Sequence, residues 1–176
     1  DRGQTNPQLL AWLSSVIEPG MRVLVPGSGR GHEVLALAEA GARVTAVDFA
    51  DSAIAALRER QAETGLEFEI VHSDLFAYSP SDEFDVIYEQ TCLCALHPTQ
   101  WKTYEQLLNA WLRDDGYLLA LFMQSQSPDG PPFHCDIGVM RELFHSERWQ
   151  WHETQASIPH PTGMTEIACQ LRRSKE

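Results

Sequence analysis

An α/β fold built on a mostly parallel sheet follows from three features of this 176-residue chain. Short apolar runs alternate with segments of helical periodicity from Arg22 to Phe122. A glycine-rich turn, Pro26-Gly27-Ser28-Gly29-Arg30-Gly31, stands between the first apolar run and the helical segment after it. The C-terminal stretch changes character, with two strand-like runs separated by Pro and Gly, which predicts an antiparallel hairpin at one edge. Strands alternating with helices imply a Rossmann-like three-layer sandwich whose ligands lie at the carboxyl ends of the strands.

The opening residues 1–7 are polar. Leu9, Leu10, Leu13 and Ile17 recur at helical spacing and predict a helix over 8–17, ended by Glu18-Pro19-Gly20. Residues 22–25 read as a strand buried on both faces. After the glycine turn comes a crossover helix over 32–40, with Val34, Leu35, Leu37 and Ala38 inward and Gly41 as its stop. Residues 43–47 make the second strand, closing on Asp48. A helix over 52–64 turns Ile54, Ala55 and Leu57 inward and Arg58, Glu59 and Arg60 outward, and Gly65 ends it. The third strand, 68–71, runs into Ser73-Asp74, and Pro80-Ser81-Asp82 marks a loop. The fourth strand, 84–88, leads into Glu89-Gln90-Thr91-Cys92-Leu93-Cys94-Ala95-Leu96-His97-Pro98. A helix over 101–112, a turn at Asp114-Asp115-Gly116, a strand over 117–122, a loop over 124–132 and a helix over 137–144 follow. Runs 149–158 and 166–172, joined through 159–163, form the hairpin.

Composition narrows the classes of function. Hydrophobic residues are 43% and charged residues 22%, which suits one globular domain over 1–176. No apolar run approaches the ~20 residues that span a bilayer. The net charge of −12 argues against nucleic acid and anionic membrane as partners and is compatible with a cationic cofactor. Cys92, Cys94, Cys135 and Cys169 form no CxxC pair, so they are expected as buried thiols of a cytoplasmic, monomeric protein. His134 beside Cys135 lacks a second ligand pair, and no metal is expected.

The chemistry lies in the glycine turn and in the strand ends. A glycine turn opening a helix, with an acid ending the next strand, is suited to an adenosine-type cofactor. The dinucleotide fingerprint GxGxxG requires a small residue where this chain has His32, so Gly27, Gly29 and Gly31 do not fit it. Successive strand ends carry Asp48, Asp74 and Glu89-Gln90.

That ensemble resembles the class I S-adenosylmethionine-dependent methyltransferases. The resemblance implies that Gly27, Ser28 and Gly29 pass under the methionine and ribose portions of S-adenosyl-L-methionine. It implies that Asp48 accepts from the ribose hydroxyls, Phe49 packs on the adenine edge, and Asp74 and the Leu75 backbone N–H meet the adenine ring. Glu89 then lies near the sulfonium and ammonium, and Gln90 stands where relatives have a cofactor-contacting Arg or Tyr. The run YEQTCLCALHP resembles the segment after strand four in the thiopurine S-methyltransferase superfamily, above all its halide/thiol methyltransferase branch. Asp129-Gly130-Pro131-Pro132-Phe133 resembles the loop that closes over the active site there. The opening Asp1-Arg2-Gly3-Gln4-Thr5-Asn6-Pro7 resembles the W-D-x-G-x-T-P segment of the same group. Cys92-Leu93 departs from the aromatics of halide methyltransferases, and the tryptophans of an expected N-terminal lid belong before Asp1.

The resemblance implies methyl transfer to sulfur of a small thiol or thiopurine-like compound, or to a halide or chalcogen anion, by in-line displacement. Alignment alone supplies ~7–11 kcal/mol of such a barrier. A thiolate needs no strong base, in keeping with the absence of a recognisable Ser/His/Asp or Cys/His arrangement. His97 is the one side chain read as assisting deprotonation, against a structural role at a helix start. Cys92, Pro132 and Phe133 are read as the wall facing the acceptor, against core packing and a rigid loop. The competing expectations are an NAD-dependent oxidoreductase and a non-catalytic protein that binds S-adenosylmethionine.

Overall fold

The computed structural model describes residues 3–175, in two compact units that meet in sequence at Val86 and Ile87. Asp1 and Arg2, with which the opening resemblance begins, lie outside the described residues.

The first unit starts with α1 (Pro7–Leu13), where Pro7 occupies the first turn and the Asn6 side chain accepts from the Gln8 N–H. The helix is shorter than the spacing over 8–17 predicts. Trp12 is buried in the place expected of Leu10, which is 53% exposed, and Ile17 is buried beyond the helix end. Next come β1 (Arg22–Pro26), α2 (His32–Glu39), β2 (Arg43–Asp48), α3 (Asp51–Thr64) and β3 (Glu69–His72). Positions 23–26 and 44–48 are buried throughout, as strands covered on both faces must be. β1 and β2 pair in parallel with Pro26 opposite Val47; β2 and β3 pair in parallel with Asp48 opposite His72. On α3 the inward face is Ala53, Ile54 and Leu57, whereas Ala55 is exposed. The third strand begins one residue later than predicted.

β4 (Phe84–Gln90) runs two residues past its expected end, so Glu89 and Gln90 are strand residues. Two 3-10 turns, Leu93–Ala95 and Pro98–Gln100, then lead into α4 (Trp101–Trp111). β5 (Leu112–Gln124) contains Asp114-Asp115-Gly116, the expected turn, with Asp115 in the left-handed region at φ 62°. Its carboxylate accepts from Arg172 at 2.8 Å and from Lys175 at 2.9 Å. After α5 (Ile137–Leu143) come β6 (Trp149–Trp151), β7 (Ala156–Pro159) and β8 (Thr165–Arg173).

The expected antiparallel hairpin is formed by β7 and β8, with Pro159 opposite Thr165, but its first arm is split. The run 149–158 is two strands, interrupted where the Thr154 N–H donates to the His152 ring. β8 is no edge: it pairs antiparallel with β5 along one side and with both β6 and β7 along the other. The eight strands make one mixed sheet in the order β3-β2-β1-β4-β5-β8-β6, with β7 also on β8. All four cysteines are buried free thiols, and no helix among the described residues is long and apolar enough to cross a membrane.

Candidate functional site

In the first unit the glycine turn is held from below by Asp48. The Gly29 N–H donates to its Oδ2 at 2.9 Å, and the Ala50 N–H donates to its Oδ1 at 2.9 Å. One buried carboxylate thus ties the turn after β1 to the start of α3, and each oxygen keeps a lone pair for a ligand. Gly27, Gly29 and Gly31 all have positive φ, the left-handed region that a side chain disfavours. A Cβ on Gly29 would meet open space, whereas one on Gly31 would lie 2.5 Å from Leu57 Cδ2. Gly31 therefore supplies the close packing that the dinucleotide fingerprint assigns to a later glycine, and His32 is free to be large. Burial first, then the cations of Arg60 and Arg30, hold the His32 ring below its ordinary pKa.

Ser28 is buried, and its hydroxyl has no hydrogen-bond partner among the described residues. Gly29 and Asp48 border an open cleft of about 570 Å³, lined further by Ala50, Ser52 and Arg60. Phe49 is 76% exposed. Its carbonyl meets His72 Nε2 at 3.0 Å, and the Ser73 N–H donates to the Asp48 carbonyl, so the ends of β2 and β3 are laced together. Asp74 is exposed, and its Oδ1 accepts from the Phe76 N–H at 2.8 Å, which fixes the turn around half-buried Leu75. Over α2, the Asn6 N–H donates to Glu33 and the Thr5 hydroxyl to the His32 carbonyl, so the opening segment sits at the helix start behind the glycine turn.

The second unit carries the other predicted residues. Glu89 is 1% exposed, and its Oε1 accepts from the Leu93 N–H at 2.6 Å. Left-handed Thr91, with φ 63°, turns the chain so that the first 3-10 turn presents that N–H to the carboxylate. Burial raises the Glu89 pKa to about 7, against the backbone donors of Leu93 and Cys92, and the charge of Glu166 adds to the rise. Gln90 is half-buried. The Tyr88 hydroxyl donates to its Oε1 at 2.8 Å, and its Nε2 donates to Glu166 Oε1 at 3.2 Å.

Cys92 is buried, and burial holds the neighbouring Cys94 and Cys135 thiols protonated, the latter pushed up to about 12. The Phe133 N–H donates to the Cys94 carbonyl at 2.7 Å, fastening the 124–132 loop beside the first 3-10 turn. Gly130 lies against the Phe133 ring so closely that a Cβ there would sit 2.6 Å from it, with Pro131 and half-buried Pro132 between. Phe133 meets the His97 ring edge to face, centroids 5.4 Å apart. The Thr99 N–H donates to His97 Nδ1 at 3.3 Å, and the Thr99 hydroxyl lies 2.8 Å from the same nitrogen.

Tyr88 and Glu166 went unnoticed in the sequence. Tyr88 reads as a strand aromatic, and a Glu in a terminal strand reads as outward and solvated; only pairing with β5 and β7 shows Glu166 to be buried.

Comparison with known proteins agrees with this geometry. The chain is 32% identical over 173 residues to the thiopurine S-methyltransferase of Pseudomonas entomophila, covering 86% of this chain and 78% of that protein. It is 29% identical over 146 residues to thiocyanate methyltransferase 1 of Arabidopsis thaliana, covering 81% of this chain. The chain spans 64% of that protein's length and 65% of its counterpart from Brassica oleracea. Among solved structures, the 1,6-didemethyltoxoflavin-N1-methyltransferase of Burkholderia thailandensis, with S-adenosylhomocysteine bound, shares the fold. The TM-score is 0.78 at 22% identity, over 96% of this chain and 78% of that one. A structure from work on converting a disulfide bond into a thioacetal group during echinomycin biosynthesis gives a TM-score of 0.82 at 18% identity, over 99% of this chain and 83% of that one. The family model of thiopurine S-methyltransferase matches residues 1–170, and the chain belongs to that family.

Proposed function

We propose that the protein is an S-adenosylmethionine-dependent methyltransferase that methylates sulfur in a small thiol or thiopurine-like compound, or a related small anion. The observation that carries this reading is the Asp48–Gly29 bridge beneath open space, with exposed Phe49 alongside. The unpartnered Ser28 hydroxyl and the open space beside Gly29 fit a ligand of adenosine type. In this reading Gly27, Ser28 and Gly29 underlie the cofactor, Asp48 holds the ribose, and Phe49, Asp74 and Leu75 hold the adenine. Glu89 and Gln90 serve its methionine end. When bound, S-adenosylmethionine supplies an activated methyl group on a cationic sulfur.

The chain's own residues align the acceptor and keep water away. Cys92, Pro132 and Phe133 form an apolar wall, on which an acceptor is desolvated and its sulfur anion made more nucleophilic. His97, beside Phe133, is assigned to assist deprotonation, as a proton acceptor or as a hydrogen-bond donor to the sulfur anion. A thiol of ordinary pKa ~8.5 is a few per cent ionised at neutral pH, and such a donor raises that fraction. The family relationship and the thiocyanate, thiol and thiopurine methyltransferases among the relatives support sulfur as the acceptor atom.

The test is S-adenosylhomocysteine release with a panel of thiols, thiopurines, thiocyanate and halides, beside calorimetry with S-adenosylhomocysteine and NAD. Turnover confined to sulfur acceptors is expected. Tighter binding of NAD than of S-adenosylhomocysteine overturns the reading; cofactor binding without turnover on any acceptor makes the protein a binder.

A further inference from the structure

Glu166 belongs to no part of the site so far assigned. It lies on β8, is 0% exposed, and reaches Gln90, the last residue of β4. Gln90 is clamped at both ends of its amide, by the Tyr88 hydroxyl at Oε1 and by Glu166 at Nε2. The clamp has a direction. A carboxylate only accepts, so the NH₂ end of Gln90 has to face Glu166 and the carbonyl end has to face Tyr88. With another glutamine or a hydroxyl at 166, either orientation of the amide would be satisfied. One N–H is used by Glu166 and one lone pair by Tyr88, which leaves a second N–H on a half-buried side chain. Burial of the clamp matters because a hydrogen bond to a charged group shielded from water is stronger than an exposed neutral one.

We infer that Glu166 is a positioning residue: it fixes the amide of Gln90 so that residue 90 serves as an N–H donor to a small anionic group of a bound ligand. This rests on the proposed methyltransferase reading, in which that group is either the sulfur anion of the acceptor or the carboxylate of the cofactor. Tyr88 holds the other end, so the orientation is set from two strands at once, β4 and β8.

The test reads the amide directly. In ¹⁵N-labelled protein the two Nε2 protons of Gln90, assigned by their loss in Gln90→Ala, are expected to be widely split and slow to exchange. Glu166→Leu should collapse them toward the free-glutamine position, while Glu166→Gln, which offers a donor as well as an acceptor and so does not fix the orientation, should narrow the splitting only in part. A free-glutamine position in the wild-type protein overturns the inference without any variant, so a Glu166→Leu that fails to fold leaves it falsifiable. Ligand binding supplies the second readout. Glu166→Leu and Gln90→Ala should each weaken one ligand about 10-fold, the size of a single good hydrogen bond, and the double variant should be no worse than either. A rise in the acceptor KM identifies the sulfur anion; a loss of S-adenosylhomocysteine affinity identifies the carboxylate. Additive losses, or neither change, overturn the inference. Lack of turnover with a split amide and intact S-adenosylhomocysteine binding counts against the proposed activity; an unsplit amide with normal turnover counts against Glu166 alone.

Discussion

Asp48 has two duties, and its substitutions separate them. Both oxygens hold backbone N–H groups before any ligand arrives, so Asp48→Ala disturbs the turn as well as the proposed ribose contact. Asp48→Asn keeps one acceptor and nearly the same shape. It is expected to cost roughly 10- to 100-fold in S-adenosylhomocysteine affinity by calorimetry, at about 1.5–3 kcal/mol for hydrogen bonds to a charged group. Unchanged affinity would remove Asp48 from the ribose. Glu89 carries the opposite kind of stress. Its folded pKa of about 7 lies above the ordinary 4.5, so the folded state binds the extra proton between those values. Stability from this group is fully kept below pH 4.5 and lost as the pH rises to 7, by about 3 kcal/mol. Glu166 on β8, Tyr104 on α4 and the thiols of Cys94 and Cys135 face it, and none supplies a compensating cation. Denaturant unfolding of the ligand-free protein at pH 5 and 7.5 should show this loss in wild type and a flatter profile in Glu89→Gln. Equal profiles would mean that Glu89 is ionised at no cost.

Two glycines of one turn do different work, and the turn as an element is where that shows. Gly29→Ala adds a methyl group to open space at φ 53°, so it should lower stability by only about 1–2 kcal/mol while intruding where the cofactor is placed. Gly31→Ala meets Leu57 as well as an unfavourable φ, and should lower stability by about 2–4 kcal/mol. Thermal unfolding together with S-adenosylhomocysteine binding separates them: affinity lost with Gly29→Ala, melting temperature lost with Gly31→Ala. The reverse ranking would contradict the packing. Elements in the first unit are legible because β1 and β2 are short, mostly apolar runs that each follow a glycine, at Gly20 and Gly41. In the second unit local signals misled. Asp114-Asp115-Gly116 has turn chemistry yet continues a strand: β8 pairs with β5 from Tyr117 on, and Arg172 and Lys175 tie Asp115 down. The Trp149 run looked continuous because a break at His152 depends on a ring hydrogen bond that spacing cannot reveal.

For the molecule as a whole, net charge and site charge act in the same direction. S-adenosylmethionine carries one more positive charge than S-adenosylhomocysteine, and a cation near Glu89 favours its ionised form. Affinity for S-adenosylmethionine should therefore rise about 3- to 10-fold from pH 6 to 8, while that for S-adenosylhomocysteine stays nearly level. Parallel curves by calorimetry would place Glu89 away from the sulfonium. The residues of this site divide by how they announce themselves. Asp48, Asp74 and Glu89 stand at strand ends, where one-dimensional spacing suffices to find them. Glu166 depends on a partner brought close by folding, and no local pattern marks it.

β8 has one more consequence, for the order of events as the chain is made. It is the last strand in the sequence of the described residues, yet β5, β6 and β7 all pair with it. A nascent chain emerging from the ribosome therefore has β5 complete while the edge that β8 will occupy is bare. That edge is long and apolar, the kind that recruits foreign strands. In the first unit β1, β2 and β3 pair in parallel with one another. Chaperone dependence during synthesis should accordingly fall on the interval between the completion of Gln124 and the emergence of Arg173.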